Sequence, residues 1–281
     1  MFRKRLLLAK LFPYYTRLRH PGVFENVRNF CLFVGHGRSG SSIVGALLNA
    51  HPDIVLSNEL NVLEYAGTLS QEQLFNLILL FSKRQARRGS PGGGGYSYAV
   101  PNQWQGRHKE IRVIGDRKAG ATAIQLLKEP ELLGKLRETI AVPLKFICVT
   151  RNPFDTLATT LKKTIRHDGE TAANHLERQI EYYFERCEGV NRLFEELGPE
   201  AVRVVSHESL VADASSVLAE LCRYLDVAAD ADYLRDCAAI VNPRPHITRG
   251  SIEWPTHLLD EVRRRAGSIP WLQGYRFEES P

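Results

Sequence analysis

Residues 31 to 59, CLFVGHGRSGSSIVGALLNAHPDIVLSNE, hold the densest run of groups able to do chemistry. Gly35, His36, Gly37, Arg38, Ser39 and Gly40 follow one another with no hydrophobic side chain, between an apolar run and a helical apolar face. Glycines permit the tight φ/ψ values such a turn needs and leave room for a phosphate-sized group. Backbone N–H groups at the start of the next helix, with the hydroxyls of Ser41 and Ser42, then turn toward an anion. Gly35 and Gly40 have the separation of a nucleotide P-loop, GxxxxGK[ST]. Position 41 is Ser, however, and the one cation, Arg38, lies inside the loop. A phosphate-like ligand fits this pattern and ordinary Mg-ATP chemistry does not; a structural turn packing a strand to a helix is the alternative.

The elements that must position this loop can be read on either side of it. Cys31 to Val34 reads as a buried strand, and Ser41 to Asn49 or Ala50 as a helix ended by His51-Pro52-Asp53. Ile54 to Leu56 is a second short strand, which puts Ser57, Asn58 and Glu59 at its C-terminal end, where open α/β sheets bind ligands. A third strand, Ile111 to Ile114, ends at Gly115-Asp116-Arg117-Lys118, and a fourth, Leu144 to Val149, leads into Thr150-Arg151-Asn152-Pro153. Val202 to Val205 is the fifth. Helical patterns cover 1 to 20, 70 to 86, Thr122 to Leu127 and on to Thr139, Pro153 to Leu161, 173 to 197, Ser215 to Tyr224, Tyr233 to Ile240 and His257 to Ala266. The alternation predicts an α/β chain: a three-layer, P-loop-like fold with a central, mainly parallel sheet flanked by helices. We expect one domain over 1–281, with 1–25 as an N-terminal arm and 87–108, which contains Gly92 to Gly95, as an inserted flexible loop or small hairpin.

Bulk properties narrow the function classes. The 281 residues carry a net charge of +5 and a pI near 9.0, which suits an anionic ligand but is too modest to argue for nucleic acid. The five cysteines form no CxxC, so they read as reduced thiols in a reducing, cytoplasmic setting, with no metal site expected. No stretch is as long as a transmembrane helix, and a weak membrane-surface contact by the basic, leucine-bearing N-terminus is left open. Tyr96, Tyr98, Trp104 and Phe154 are candidates to line an acceptor pocket, with core filling as the alternative.

Taken together, these motifs resemble the sulfotransferases that use 3′-phosphoadenosine 5′-phosphosulfate (PAPS). The resemblance spans 31–59, 111–118 and 144–161, with a weaker echo at 202–225, and looks closest to the branch holding tyrosylprotein sulfotransferases and their bacterial relatives. It implies that Gly37, Arg38, Ser39, Gly40, Ser41 and Ser42 bind the 5′-phosphosulfate, although the family often has proline where Gly37 stands. It implies that Arg151 and, eight positions on, Thr159 bind the 3′-phosphate, with Thr160 as a neighbouring alternative, and that Arg249 and Gly250 add weaker contacts. His51-Pro52 followed by Glu59 matches the branch in which a glutamate is the catalytic base; Glu64 competes, and Asn58 is placed to orient an acceptor. The IGDRK segment resembles a GDK element whose basic residue contacts the sulfonate, here Arg117 or Lys118. Histidine serves as base elsewhere in the superfamily, which leaves His108, His167, His175, His207, His246 and His257 as lesser candidates. The implied reaction is sulfonyl transfer to a hydroxyl of a small molecule or peptide, giving a sulfate ester and PAP without a metal.

Overall fold

The computed structural model describes residues 2–90, 97–164, 171–244 and 246–278. In chain order the elements are α1 (Phe2–Arg19), β1 (Asn29–Gly35), α2 (Ser41–Leu48), β2 (Ile54–Asn58), α3 (Gln71–Arg87), β3 (Val113–Arg117), α4 (Ala119–Lys128), α5 (Glu131–Thr139), β4 (Leu144–Thr150), α6 (Pro153–Thr164), α7 (Ala172–Leu197), β5 (Val202–Ser206), α8 (His207–Ala212), α9 (Ala214–Tyr224), α10 (Ala231–Ala239) and α11 (Thr256–Gly267). The strands form one sheet in the order β2-β3-β1-β4-β5, with every pairing parallel.

Strand periodicity sorts the core into two layers. Along β1, Phe30, Leu32 and Val34 pack with one cluster while Cys31 and Phe33 face the other; β4 repeats this with Phe146 and Cys148 against Ile147 and Val149. The first layer is covered by side chains of α3, α4, α5 and α7, the second by α2, α9 and α10. Both faces of the central strands are therefore dry, as a parallel sheet requires. Among the described residues no helix is long and apolar enough to cross a membrane.

Strand order places the site. The chain leaves β1 toward β2 on one side, but leaves β4 toward β5 on the other. The crevice between the C-terminal ends of β1 and β4 is thus a topological switch point, flanked by the loop at 36–40 and the turn at 151–152.

Two local expectations change. The third strand is Val113–Arg117 rather than Ile111 to Ile114, so Gly115 is a strand residue and not a turn. A Cβ on Gly115 would lie 1.8 Å from the Cys31 carbonyl oxygen, so glycine is what lets β3 approach β1. Ser206 to Ser209 also do more than end a strand: the Ser206 hydroxyl accepts the Ser209 N–H at 2.9 Å and caps the short α8.

Candidate active site

Backbone strain gathers at the first loop. Gly40, the residue before α2, has φ 96°, and Arg38 takes a left-handed φ of 66° without being glycine. A Cβ at Gly40 would sit 2.4 Å from the His207 ring, so both conformation and space call for glycine there. Ser39 is buried and donates to the His36 carbonyl at 2.9 Å, closing the turn; Ser41 is buried at the helix start and Ser42 partly so. Gly37 and Arg38 are exposed to the crevice.

The second loop meets the first directly. Arg151 is 9 % exposed, and its guanidinium donates to the Arg38 carbonyl at 3.3 Å and to the His246 carbonyl. Burial pulls its pKa below the ordinary arginine value. Among the described residues no carboxylate lies within ion-pair distance of it. Asp155, on the helix that follows, accepts the N–H groups of Thr248 and Arg249 at 2.7 and 2.8 Å, and its other oxygen lies 3.6 Å from the Arg249 guanidinium. Thr248 spends its proton on the Asp155 carbonyl at 2.8 Å, so at 2.9 Å it accepts from the Thr159 hydroxyl. Arg151, Thr159 and Arg249 are thereby brought to one corner, while Gly250 is exposed beyond it. Thr160 instead donates to the Thr156 carbonyl of its own helix at 2.7 Å.

Glu59 and both basic candidates meet at the ends of β2 and β3. One Glu59 oxygen lies 2.9 Å from the Arg117 guanidinium and the other bonds Lys118 Nζ. Arg117 also donates to Asn58 Oδ1. A Cβ at Gly45 would stand 2.8 Å from Arg117 Cδ, so glycine inside α2 makes room for this arginine. Glu59 has φ 61° and Asn61 φ 64°, a costly turn held by Asp116 beneath it. Asp116 is fully buried; it accepts the Ser57 hydroxyl at 2.7 Å and the N–H groups of Leu60 and Asn61 at 3.1 and 2.8 Å. Burial nevertheless pushes its carboxyl above the usual range. Glu64 is turned away, accepting from Asn61 Nδ2 at 2.7 Å. Glu59, Arg117 and Lys118 share a cavity of 370 Å³ with Gly37, Ser41 and Arg186. A smaller one of 140 Å³ adjoins it across Gly37 and includes Arg38 and Thr160.

Other candidates fall elsewhere. His36 lines both cavities but is stacked on Tyr183. His51 bonds the Ala228 carbonyl at 2.7 Å through Nε2 and accepts the Asp53 N–H at 3.1 Å through Nδ1, which makes it a neutral clamp on the turn after α2. His207 packs on Gly40, and burial followed by Arg151 lowers its pKa. His108, His175 and His257 line neither cavity of the site. His167 and Tyr96 lie outside the described residues, as do Gly92 to Gly95. Tyr98 packs on the second core layer, the Trp104 ring carries the Arg107 guanidinium 5.4 Å from its centroid, and Phe154 is a buried partner of Trp254 and Phe277; none of the three lines either cavity of the site. Sequence reasoning missed Asp116 and Arg186; Glu208, at the end of β5, accepts the Asn152 N–H at 2.9 Å and the Tyr275 hydroxyl at 2.8 Å, bracing the second loop. A wider cavity, 950 Å³, opens at the opposite end of the sheet, where Arg203 pairs with Glu220 and Arg28 with Asp226. Among the described residues no group of His, Cys, Asp or Glu is gathered as a metal site.

With this geometry in place, comparison with known proteins is informative. A profile of the sulfotransferase family matches residues 106–231, which takes in Arg117, Lys118, Arg151 and Thr159 but neither the first loop nor Glu59. No curated protein sequence matches the chain. The sulfotransferase domain from the curacin biosynthetic pathway superposes with a TM-score of 0.54 at 18 % identity, covering 89 % of this chain and 99 % of that one. A Mycobacterium avium sulfotransferase gives 0.52 at 9 % identity, with coverage of 92 % and 82 %. One from Alicyclobacillus acidocaldarius gives 0.50 at 18 %, with 88 % and 94 %. The chain has the sulfotransferase fold.

Proposed function

We propose that the protein transfers a sulfonate group from PAPS to an acceptor hydroxyl, releasing PAP. The observation that carries this reading is the meeting of Arg151 and Arg38 across the switch point: a buried guanidinium, unpaired with any described carboxylate, braces the backbone of an anion loop. A cation so placed is stabilised by a bound anion. The two loops suit the two phosphate-bearing ends of one adenosine nucleotide. Arg151 and Arg249, with Thr159 once its hydroxyl turns from Thr248, would hold the 3′-phosphate, and Gly37 to Ser42 the phosphosulfate.

PAPS would supply the activated sulfonate; the chain's part is to bind, orient and neutralise. Arg38, Arg117, Lys118 and the N–H groups opening α2 offset charge on the sulfonate and leaving oxygens. Glu59 takes the acceptor proton. Its contacts with Arg117 and Lys118 keep all three groups at one wall of the cavity. The finer likeness to the tyrosylprotein branch, and hence a phenolic acceptor, rests on the spacing of His51-Pro52 and Glu59.

Thermal unfolding with PAP and with Mg-ATP tests the donor reading: PAP raises Tm without added metal. Protection by Mg-ATP alone would overturn it in favour of a kinase. In the same assay Glu59→Gln retains the PAP shift while kcat falls about a hundredfold or more; near-normal turnover would remove Glu59 from the role.

A further inference from the structure

Arg186, on α7, lies outside every motif considered so far yet borders both cavities of the site. It is only partly exposed, and burial lowers its pKa from the ordinary arginine value. Its Nη1 donates to the Tyr182 carbonyl one turn back at 2.6 Å. Among the described residues no carboxylate pairs with it; the adjacent Glu185 lies 3.0 Å from Lys128 instead.

Helix packing fixes its place. α7 presses on α4 at Gly189, where a Cβ would stand 2.5 Å from the Ala123 carbonyl oxygen. One turn earlier on each helix Arg186 faces Gly120, where a Cβ would lie 3.1 Å from Arg186 Nε. A glycine inside α7, which costs helix stability relative to alanine, and a second in the first turn of α4 thus let this guanidinium sit against the cavity. It faces a cavity whose other charged groups, Glu59, Arg117 and Lys118, already bond one another. Among the described residues only the Tyr182 carbonyl accepts from it, which leaves its other donors at the cavity for a ligand.

We propose that Arg186 is an acceptor-recognition residue, and that the preferred acceptor carries a carboxylate or a comparable anionic group near the hydroxyl presented to Glu59. This rests on the donor reading above. A guanidinium meeting a carboxylate in a partly dry cavity gives a charge-assisted, two-point contact, which a neutral amide of the same shape lacks.

The test is transfer from PAPS to matched acceptors: 4-hydroxyphenylacetate against its amide, and 3-hydroxybutanoate against its amide. PAP affinity is measured in parallel for wild type, Arg186→Gln and Arg186→Lys. The wild type should favour the carboxylate of at least one pair by about tenfold to a hundredfold in kcat/KM. Arg186→Gln should level that preference, Arg186→Lys should keep part of it, and PAP affinity should stay within about twofold throughout. Equal use of acid and amide, a preference that survives Arg186→Gln, or no transfer to either acid by a PAP-binding wild type would overturn the proposal. So would a loss of PAP affinity in Arg186→Gln matching its loss of transfer, because Arg186 would then belong to the donor. Failure of the wild type to bind PAP at all would instead sink the donor reading.

Discussion

Acidification probes how the loop at 36–40 is supported from below. His36 is 3 % exposed, its ring lies 3.9 Å from that of Tyr183 in a stack, and its Nε2 is 3.4 Å from Cys187 Sγ. Burial first, and the Arg186 charge second, push the imidazole from 6.5 down to about 3. Neither neighbour offers negative charge to a protonated ring, since burial also raises the Tyr183 hydroxyl and the Cys187 thiol well above their usual values. The folded protein therefore keeps His36 neutral over a range where the unfolded chain binds a proton. The stability from this group is complete above pH 6.5 and is lost progressively as pH falls from there toward 3. One proton corresponds to about 1.4 kcal/mol per pH unit, so the loss between pH 6.5 and about 4.5 comes to about 2–3 kcal/mol. Urea unfolding followed by circular dichroism, at about pH 7 and about pH 4.5, measures it in wild type and in His36→Gln. The variant should start less stable, because it lacks the stack, yet lose about 2–3 kcal/mol less on acidification. His51, His108 and His207, also lowered by burial, are present in both proteins and cancel in the difference. Equal losses would refute the reasoning.

Two substitutions test the placement of the site's charges. Gly45→Val puts a branched side chain where a Cβ already stands 2.8 Å from Arg117 Cδ; the arginine must leave Asn58 and Glu59, and kcat should fall about tenfold to a hundredfold with PAP affinity little changed. Steady-state kinetics beside PAP titration check this, and unchanged kcat would show that Arg117 does not act from its present position. Asp116→Asn replaces one of two accepting oxygens by an N–H₂ facing bonded donors, which should cost about 1–3 kcal/mol of stability and loosen the turn carrying Glu59. Chemical denaturation gives the first figure; full stability in the variant would mean that the buried carboxylate is not what holds the strained turn.

The fold was legible because the physics that specifies it is local. The alternation of Phe30, Cys31, Leu32, Phe33 and Val34 states both faces of a buried strand, and the glycine run after it states a turn. The first-loop residues and Glu59 could be named for the same reason, since each sits at the end of an apolar run. Asp116 and Asp155 could not. Their partners are the N–H groups of Leu60 and Asn61 and of Thr248 and Arg249, more than fifty residues away in sequence, so nothing beside either carboxylate marks it. The resemblance drew the eye to Arg117 and Lys118 and passed over Asp116, the residue that keeps Glu59 opposite them.

One signal for the missed cation was nevertheless present. Glycine inside a helix is unfavourable by about 1 kcal/mol relative to alanine, so Gly45 in the middle of α2 calls for a compensating contact, and Gly120 in the first turn of α4 raises the same question. Both find it in an arginine: Gly45 against Arg117, Gly120 against Arg186. Both arginines line the same cavity, the Gly45 contact being the tighter at 2.8 Å against 3.1 Å. If a weakened α2 is tolerated to bring Arg117 close, the parallel contact at Gly120 favours a use for Arg186 in the same cavity. A surface arginine needs no such clearance. On the proposed transfer reading, the Arg186 side of the cavity is therefore the place to look for what selects the acceptor.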